Sequence, residues 1–225
     1  MENKDVYEDI SSIKTIMERS TKFISLSGLS GVMAGIYALT GVATLFFLSP
    51  IYQSYNIQVV GQLYDDGTPA ERLIIFISEY CNAEILIITG LIVLLLSVGT
   101  GFFLTKRKAS DKGLRIWNES SRALLKSAII PLTTGAFAIL IVIYKGNIAF
   151  VFIFSLLFYG LALIASSRYT YGDVKWLGIL EIILGLIAML FPGYGLLFWA
   201  IGFGVLHIIY GTMMYFKYDR GNNAA

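Results

Sequence analysis

Two ionisable residues lie inside apolar segments near the C-terminal end of the chain and are candidates for proton exchange. They are Glu181 and His207, which is the only histidine in the sequence. Each has a glycine three residues before it and another four residues after it (Gly178 and Gly185; Gly204 and Gly211). Residues at these steps share one face of a helix, so the glycines are expected to clear the face on which the two side chains meet.

Both residues are predicted to lie near the middle of a membrane. The segments that carry them are joined by a tight turn at 191–195. Glu181 lies eleven residues before Pro192 and His207 twelve residues after Gly195, which is about 16 Å and 18 Å from the turn at helical rise. A charge at that depth costs at least about 2.5 to 3.5 kcal/mol, so such residues usually face the interior of a bundle and pair.

Three interpretations of this pair remain open. Glu181 and His207 could form a structural polar contact that locks two helices together. They could instead form a proton or solute site, in which the shared proton moves with pH or substrate. In the third interpretation the two residues do not touch. Two tyrosines inside other spans either donate hydrogen bonds in a cavity or pack with a satisfied hydroxyl, namely Tyr37 and Tyr159.

The composition indicates that these segments lie in a membrane. The 225 residues are 56% hydrophobic and only 14% charged, whereas about a quarter of an ordinary soluble domain is charged. Uncharged apolar runs of 18 or more residues are typical of transmembrane helices. We therefore expect an all-α, polytopic membrane protein.

Six transmembrane helices arranged as three hairpins are predicted. Their expected spans are 23–48, 85–104, 127–144, 148–165, 176–191 and 195–216. The second span belongs to a longer helix, because Thr68-Pro69-Ala70-Glu71 is a capping box with proline at the first helical position. That helix is expected to run unbroken to about residue 105.

The transmembrane domain is expected to cover residues 23–217, with an outer loop at 49–82 and a disordered tail at 218–225. Residues 1–22 place four apolar side chains on one face of a cytoplasmic amphipathic helix (Val6, Ile10, Ile13 and Met17). This helix either lies on the membrane surface or under the bundle, or it binds a cytoplasmic partner. It is too polar and acidic for a cleavable signal peptide.

The distribution of lysine and arginine predicts the orientation. With six spans, the N-terminus, the links after the second and fourth spans and the C-terminus lie on one side of the membrane. These segments carry four, seven, two and two basic residues in that order, or fifteen in all. Only Arg72 and Lys145 lie on the other side. The positive-inside rule then places both termini in the cytoplasm.

Small residues also recur in the first span, at Gly28, Gly31 and Gly35. Such spacing lets a neighbouring backbone come close, which is how helices associate in lipid. Together with the four glycines that flank Glu181 and His207, they favour close internal packing or a homo-oligomer.

Signatures of catalysis are absent from the sequence. It contains no phosphate-binding glycine loop, no HExxH helix and no GxSxG elbow, and one histidine with one cysteine cannot build a histidine-rich metal site. The basic residues sit beside membrane spans and offer no platform for nucleic acid. We therefore predict no enzyme activity, no metal, no cofactor and no nucleic-acid partner.

The last hairpin resembles the repeated hairpin of the HdeD-like acid-resistance membrane proteins. The resemblance rests on the glycines that flank Glu181 and His207 and on the Pro192-Gly193 turn, and it covers about 35 of the 225 residues. It implies a bacterial inner-membrane protein of six spans with a stress-related role, and it implies no functional residue. The long outer loop and the polar N-terminal helix depart from that family.

The sequence therefore supports two main hypotheses about function. The first is a membrane protein without catalytic chemistry that has a structural, sensory or stress-related role. The alternative is a small proton-linked transporter or channel that uses Glu181 and His207. An intramembrane enzyme is a third hypothesis, for which the chain offers no recognisable nucleophile or metal set.

Overall fold

The computed structural model describes residues 27–48, 69–111 and 116–219. All regular structure in these ranges is helical, which confirms the predicted all-α class for this part of the chain. The six main helices are α1 (Gly28–Leu48), α2 (Pro69–Asp111), α3 (Glu119–Tyr144), α4 (Ala149–Ser166), α5 (Asp173–Leu190) and α6 (Gly195–Asp219). The predicted N-terminal helix, most of the outer loop and residues 220–225 lie outside the described residues.

Five of the helices in the described ranges are long and apolar enough to cross a membrane. The exception is α5, whose 18 residues include the charged residues Asp173, Lys175 and Glu181. Large apolar side chains are exposed over much of the surface, Leu95, Ile130 and Phe137 being about 70% exposed. Soluble monomers rarely expose apolar patches of this extent. The helices are therefore those of a candidate multi-pass membrane protein.

Helix α2 begins at Pro69, as the capping box predicts, and runs without a break to Asp111. Its 43 residues span about 65 Å at helical rise, about twice the hydrocarbon thickness of a bilayer. Its ends must therefore extend beyond any membrane that it crosses. Only 6% of the most apolar 18-residue window within Glu84–Asp111 is buried, because this helix packs mainly against α1.

The helices of the described part pack in an order that differs from their order in the chain. Helix α1 lies between α2 and α6, and α4 lies between α3 and α5. Although a tight 3-10 turn at Pro192–Tyr194 joins α5 to α6, α5 packs mainly on α4, and α6 packs mainly on α1. The first half of α6 also contacts α4. The last two helices therefore contact each other less than they contact α4 and α1, and Glu181 on α5 and His207 on α6 lie within their contact.

Helix α6 is not a regular α-helix throughout. It contains a π-helical segment, Ala200–Leu206, directly before His207 and a second one, Tyr215–Asp219, at its end. Tyr218 and Asp219 belong to this helix. Short π-helical segments inside α-helices are frequent at functional sites.

Candidate functional site

Glu181 lies in the middle of α5 and is completely buried. It is eight residues after the start of the helix and nine before its end, and its exposed fraction is 0%. The side chain is held against α4 because two glycines bring the backbones of α4 and α5 together. A methyl group on Gly178 would lie 2.7 Å from the carbonyl oxygen of Gly160, and one on Gly160 would lie 2.7 Å from that of Gly178.

His207 lies at the centre of α6, twelve residues from each end of the helix, and is 6% exposed. Its Nδ1 is 2.9 Å from the carbonyl oxygen of Gly202 on the same helix. Its Nε2 is 2.9 Å from the hydroxyl oxygen of Tyr159 on α4. A carbonyl oxygen only accepts hydrogen bonds, so we assign a hydrogen to Nδ1. Both ring nitrogens of His207 therefore have partners.

The structure brings Glu181 and His207 together without a direct hydrogen bond. Oε1 of Glu181 is 3.5 Å from Nδ1 of His207, while the Nδ1 hydrogen has a shorter contact to Gly202. Within the described part of the chain, neither carboxyl oxygen of Glu181 has a hydrogen-bond partner. The two groups are at ion-pair distance, and the carboxyl is the member of the pair whose hydrogen-bonding capacity is unused.

A glycine outside the predicted set makes room for the carboxyl group. A methyl group on Gly202 would lie 2.5 Å from Oε2 of Glu181 and 2.5 Å from Cδ2 of Leu156. Gly202 therefore clears the contact and also supplies the carbonyl that orients His207. The sequence could have indicated Gly202 only through its position five residues before the only histidine. The glycine spacing around His207 instead favoured Gly204 and Gly211.

The seven predicted packing glycines face other helices, which corrects the expectation that four of them clear the contact between Glu181 and His207. Methyl groups on Gly178 and Gly185 would meet α4. Methyl groups on Gly204 and Gly211 would meet α1, and those on the first-span glycines would meet α6 (Gly28, Gly31 and Gly35). The glycines bring α5 against α4 and α1 against α6. They position the site by setting how closely these helices pack.

Aromatic rings cover one side of His207. The ring of Phe203 is nearly parallel to the imidazole, with a centroid distance of 5.6 Å and an interplanar angle of 7°. The ring of Tyr159 is 4.8 Å from Phe203, and Trp199 stacks on the other end of the row at 5.0 Å from Phe203. These rings fix the orientation of the imidazole and provide an apolar wall beside it.

The arrangement of Tyr159, His207 and Glu181 can accept a proton without moving its heavy atoms. A tyrosine hydroxyl both donates and accepts hydrogen bonds. It can therefore donate to Nε2 of a neutral imidazole or accept from Nε2 of a charged one. The carboxyl of Glu181 can likewise hold a proton or face the charged ring. We call Tyr159, His207, Glu181 and Gly202 the polar centre.

A second polar network, which was not predicted, lies at the C-terminal end of α6. Lys108 on α2 forms an ion pair with Asp219 at 2.5 Å, and both side chains are nearly buried. Asp219 also accepts hydrogen bonds from the backbone N–H of Gly28 at 3.0 Å and from the hydroxyl of Ser27 at 3.5 Å. Its carboxylate thus ties the start of α1 and the end of α2 to α6.

The same network includes a carboxylate at the start of α5. Asp173 accepts hydrogen bonds from Lys217 and from the hydroxyl of Tyr218, both at 2.9 Å. Burial acts to raise the pKa of Asp173, but these two hydrogen bonds outweigh it and hold the pKa below its ordinary value. Burial, with the nearby Asp219 carboxylate, raises the pKa of Tyr171 to about 12, so this phenol is neutral at physiological pH.

The described residues contain no group of three or more histidine, cysteine, aspartate or glutamate side chains placed to hold a metal ion. The polar centre holds one carboxyl, one imidazole and one phenol, which are groups that bind and pass protons. Compared with known proteins, the chain matches no family model, no curated protein and no solved structure.

Proposed function

We propose that the chain is a six-span integral membrane protein with both termini in the cytoplasm of a bacterium. Five apolar helices support the membrane placement. Helix α5 would be the sixth span, since its 18 residues extend about 27 Å at helical rise. The excess of basic residues on one side supports the orientation, and the resemblance of the last hairpin to HdeD-like proteins supports the inner membrane and a stress-related role.

We further propose that this protein has a proton-linked function without catalytic chemistry, as a small transporter or channel. The observation that carries the proposal is the carboxyl of Glu181, which is fully buried and has no hydrogen bond within the described residues. Buried polar groups in folded proteins are nearly always hydrogen-bonded, and an exception calls for an explanation. A group that takes up and releases a proton supplies one.

The position of Glu181 makes its protonation state decisive. A carboxylate at the middle of a span costs at least about 2.5 to 3.5 kcal/mol when it is unpaired. It therefore either carries a proton or faces a charged His207, whose Nδ1 is 3.5 Å away. Loss of the proton from Glu181 and protonation of Nε2 of His207 would change the charge on α5 and α6 together. Tyr159 accommodates both states of the imidazole.

A structural role is the second candidate, and a separate observation favours it. His207 already has two hydrogen bonds, one to Tyr159 on α4 and one to Gly202 on its own helix. These bonds join α4 to α6 without any movement of protons. On this hypothesis Glu181 is permanently protonated and fills space beside Gly202.

Infrared difference spectroscopy on the reconstituted protein separates the two candidates. We expect a carboxylic acid C=O band that changes with pH in the wild type and is lost in Glu181→Gln. The matched control is Glu119→Gln, which removes an exposed carboxylate at the start of α3 and is expected to keep the band. A band that persists unchanged in Glu181→Gln contradicts proton binding at this residue.

Proton flux into vesicles tests whether binding is coupled to transport. A pH gradient across proteoliposomes is expected to decay through the wild type and to persist in Glu181→Gln and His207→Gln. Equal decay in all variants, with a pH-dependent band still assigned to Glu181, rejects transport but keeps the proton site as a sensor.

A further inference from the structure

One exposed face of α3 carries two cations at its start and apolar side chains directly after them. Arg122 and Lys126 are four residues apart and both exposed. Leu125 is 48% exposed, Ile129 50% and Ile130 70%. At 3.6 residues per turn these five residues share one face of the helix. The face therefore changes from cationic to apolar within one turn.

The level of the cations matches the headgroup region of a bilayer. Lys126 is nineteen residues before Lys145, and Lys145 lies over the ring of the 86%-exposed Tyr144 at the other end of α3. Nineteen residues span about 28 Å, close to the roughly 30 Å thickness of the hydrocarbon core. With Tyr144 and Lys145 at one interface, Lys126 lies at the other.

The two cations have no anionic partner within the described residues. No carboxylate lies within 4.0 Å of Arg122 or Lys126, although Lys108 and Lys217 are both ion-paired. The guanidinium of Arg122 lies 5.8 Å from the ring centroid of Trp117, which is 59% exposed. The charges on this face are therefore available to an anion from outside the protein.

The start of α3 is also held in a defined conformation. The side chain of Asn118 accepts a hydrogen bond from the backbone N–H of Ser121 at 2.8 Å, and the hydroxyl of Ser121 accepts one from the backbone N–H of Asn118 at 2.9 Å. This reciprocal cap fixes where the helix begins. It thereby fixes Trp117 relative to the face that carries Arg122 and Lys126.

We propose that this face of α3 is a binding site for an anionic phospholipid. The headgroup phosphate contacts Arg122 and Lys126, the indole of Trp117 lies at the interface, and an acyl chain covers Leu125 and Ile129. Cations beside a membrane span attract anionic lipids, and here they are aligned with exposed apolar side chains on the same face of the helix. The proposal requires membrane insertion but is independent of proton binding by Glu181.

Native mass spectrometry of the full chain in mild detergent tests the site, with phosphatidylglycerol and phosphatidylcholine supplied in equal amounts. We expect the wild type to retain phosphatidylglycerol preferentially, and Arg122→Gln/Lys126→Gln to lose that preference on the order of tenfold. The matched control is Lys106→Gln/Arg107→Gln, which removes two exposed basic residues from the end of α2 and is expected to keep it. An equal loss in the control overturns the proposal in favour of general attraction.

Quenching of Trp117 gives a second test that leaves both cations in place. In a Trp176→Phe/Trp199→Phe background Trp117 is the only tryptophan. Brominated phosphatidylglycerol is expected to quench it more strongly than brominated phosphatidylcholine, and inorganic phosphate is not expected to relieve the quenching. Equal quenching by both lipids, or relief by free phosphate, overturns a lipid site at this face.

Discussion

The hydroxyl of Tyr159 lies 2.9 Å from Nε2 of His207, and this contact joins α4 to α6 across the interior of the bundle. The carbonyl of Gly202 only accepts hydrogen bonds and so keeps a hydrogen on Nδ1, which leaves Nε2 of the neutral ring to accept a hydrogen bond from Tyr159. Tyr159 therefore belongs to the polar centre together with Glu181 and His207.

Tyr159→Phe is expected to lower the stability of the protein. The change removes the partner of Nε2 while keeping the ring that packs on Phe203. Hydrogen bonds between membrane helices contribute about 0.6 to 1.7 kcal/mol, and we expect a loss in this range. Thermal unfolding in detergent, followed by circular dichroism, measures it. Tyr194→Phe, at a 58% exposed position, is the control and is expected to change stability little. Equal stability of both variants would show that the contact is energetically unimportant.

Two glycine-to-alanine changes are expected to have opposite effects. A methyl group on Gly211 would lie 2.5 Å from the backbone nitrogen of Val32 and 2.8 Å from the carbonyl oxygen of Gly28. Since backbone atoms cannot move aside, Gly211→Ala is expected to cost about 1 to 3 kcal/mol. Gly90 has no atom within 4 Å, so Gly90→Ala is expected to be neutral or to stabilise the helix by up to about 1 kcal/mol. Comparable melting temperatures for both variants would contradict the close packing of α1 on α6.

Asp219→Asn is expected to destabilise the end of the bundle by about 3 kcal/mol, because it removes the ion pair that Asp219 makes with the nearly buried Lys108. Asparagine can still accept the hydrogen bond from Gly28, so the change isolates the ion pair. Lys217→Gln removes an ion pair whose lysine is 53% exposed and is expected to destabilise the protein less than Asp219→Asn does. Unfolding in detergent compares the two, and a larger effect of Lys217→Gln would contradict this ranking.

Asp173 is expected to make stability depend on pH on the acid side. Its pKa in the folded protein is held below the ordinary value of 3.8, because hydrogen bonds from Lys217 and Tyr218 outweigh burial. A carboxyl whose pKa is lower when folded contributes stability above pH 3.8, and that contribution is lost as the pH falls through the folded-state pKa. The difference between the melting temperatures measured below and above pH 3.8 is expected to be smaller in Asp173→Asn than in the wild type. An identical acid slope in the variant would exclude Asp173 as its source.

Local patterns in the sequence were sufficient for the class of fold and for the start of the longest helix. Uncharged apolar runs can satisfy their backbone only as helices in lipid, so the all-helical class follows from composition. Proline at the first helical position predicted the start of α2 at Pro69, and the helix begins there. These features depend on residues close together in the chain.

The sequence also drew attention to Glu181 and His207 by their type, since an ionisable residue in an apolar helix is unusual wherever its neighbours lie. Tertiary structure decided what surrounds them. Tyr159, 48 residues before His207, became its partner, and Gly202 rather than the flanking glycines cleared the space for the carboxyl. Asp219 reached the start of α1 from the other end of the chain. Side-chain spacing along one helix shows which residues share a face. The packing of the other helices determines which neighbour that face meets, because small residues let several alternative pairs of helices approach equally closely.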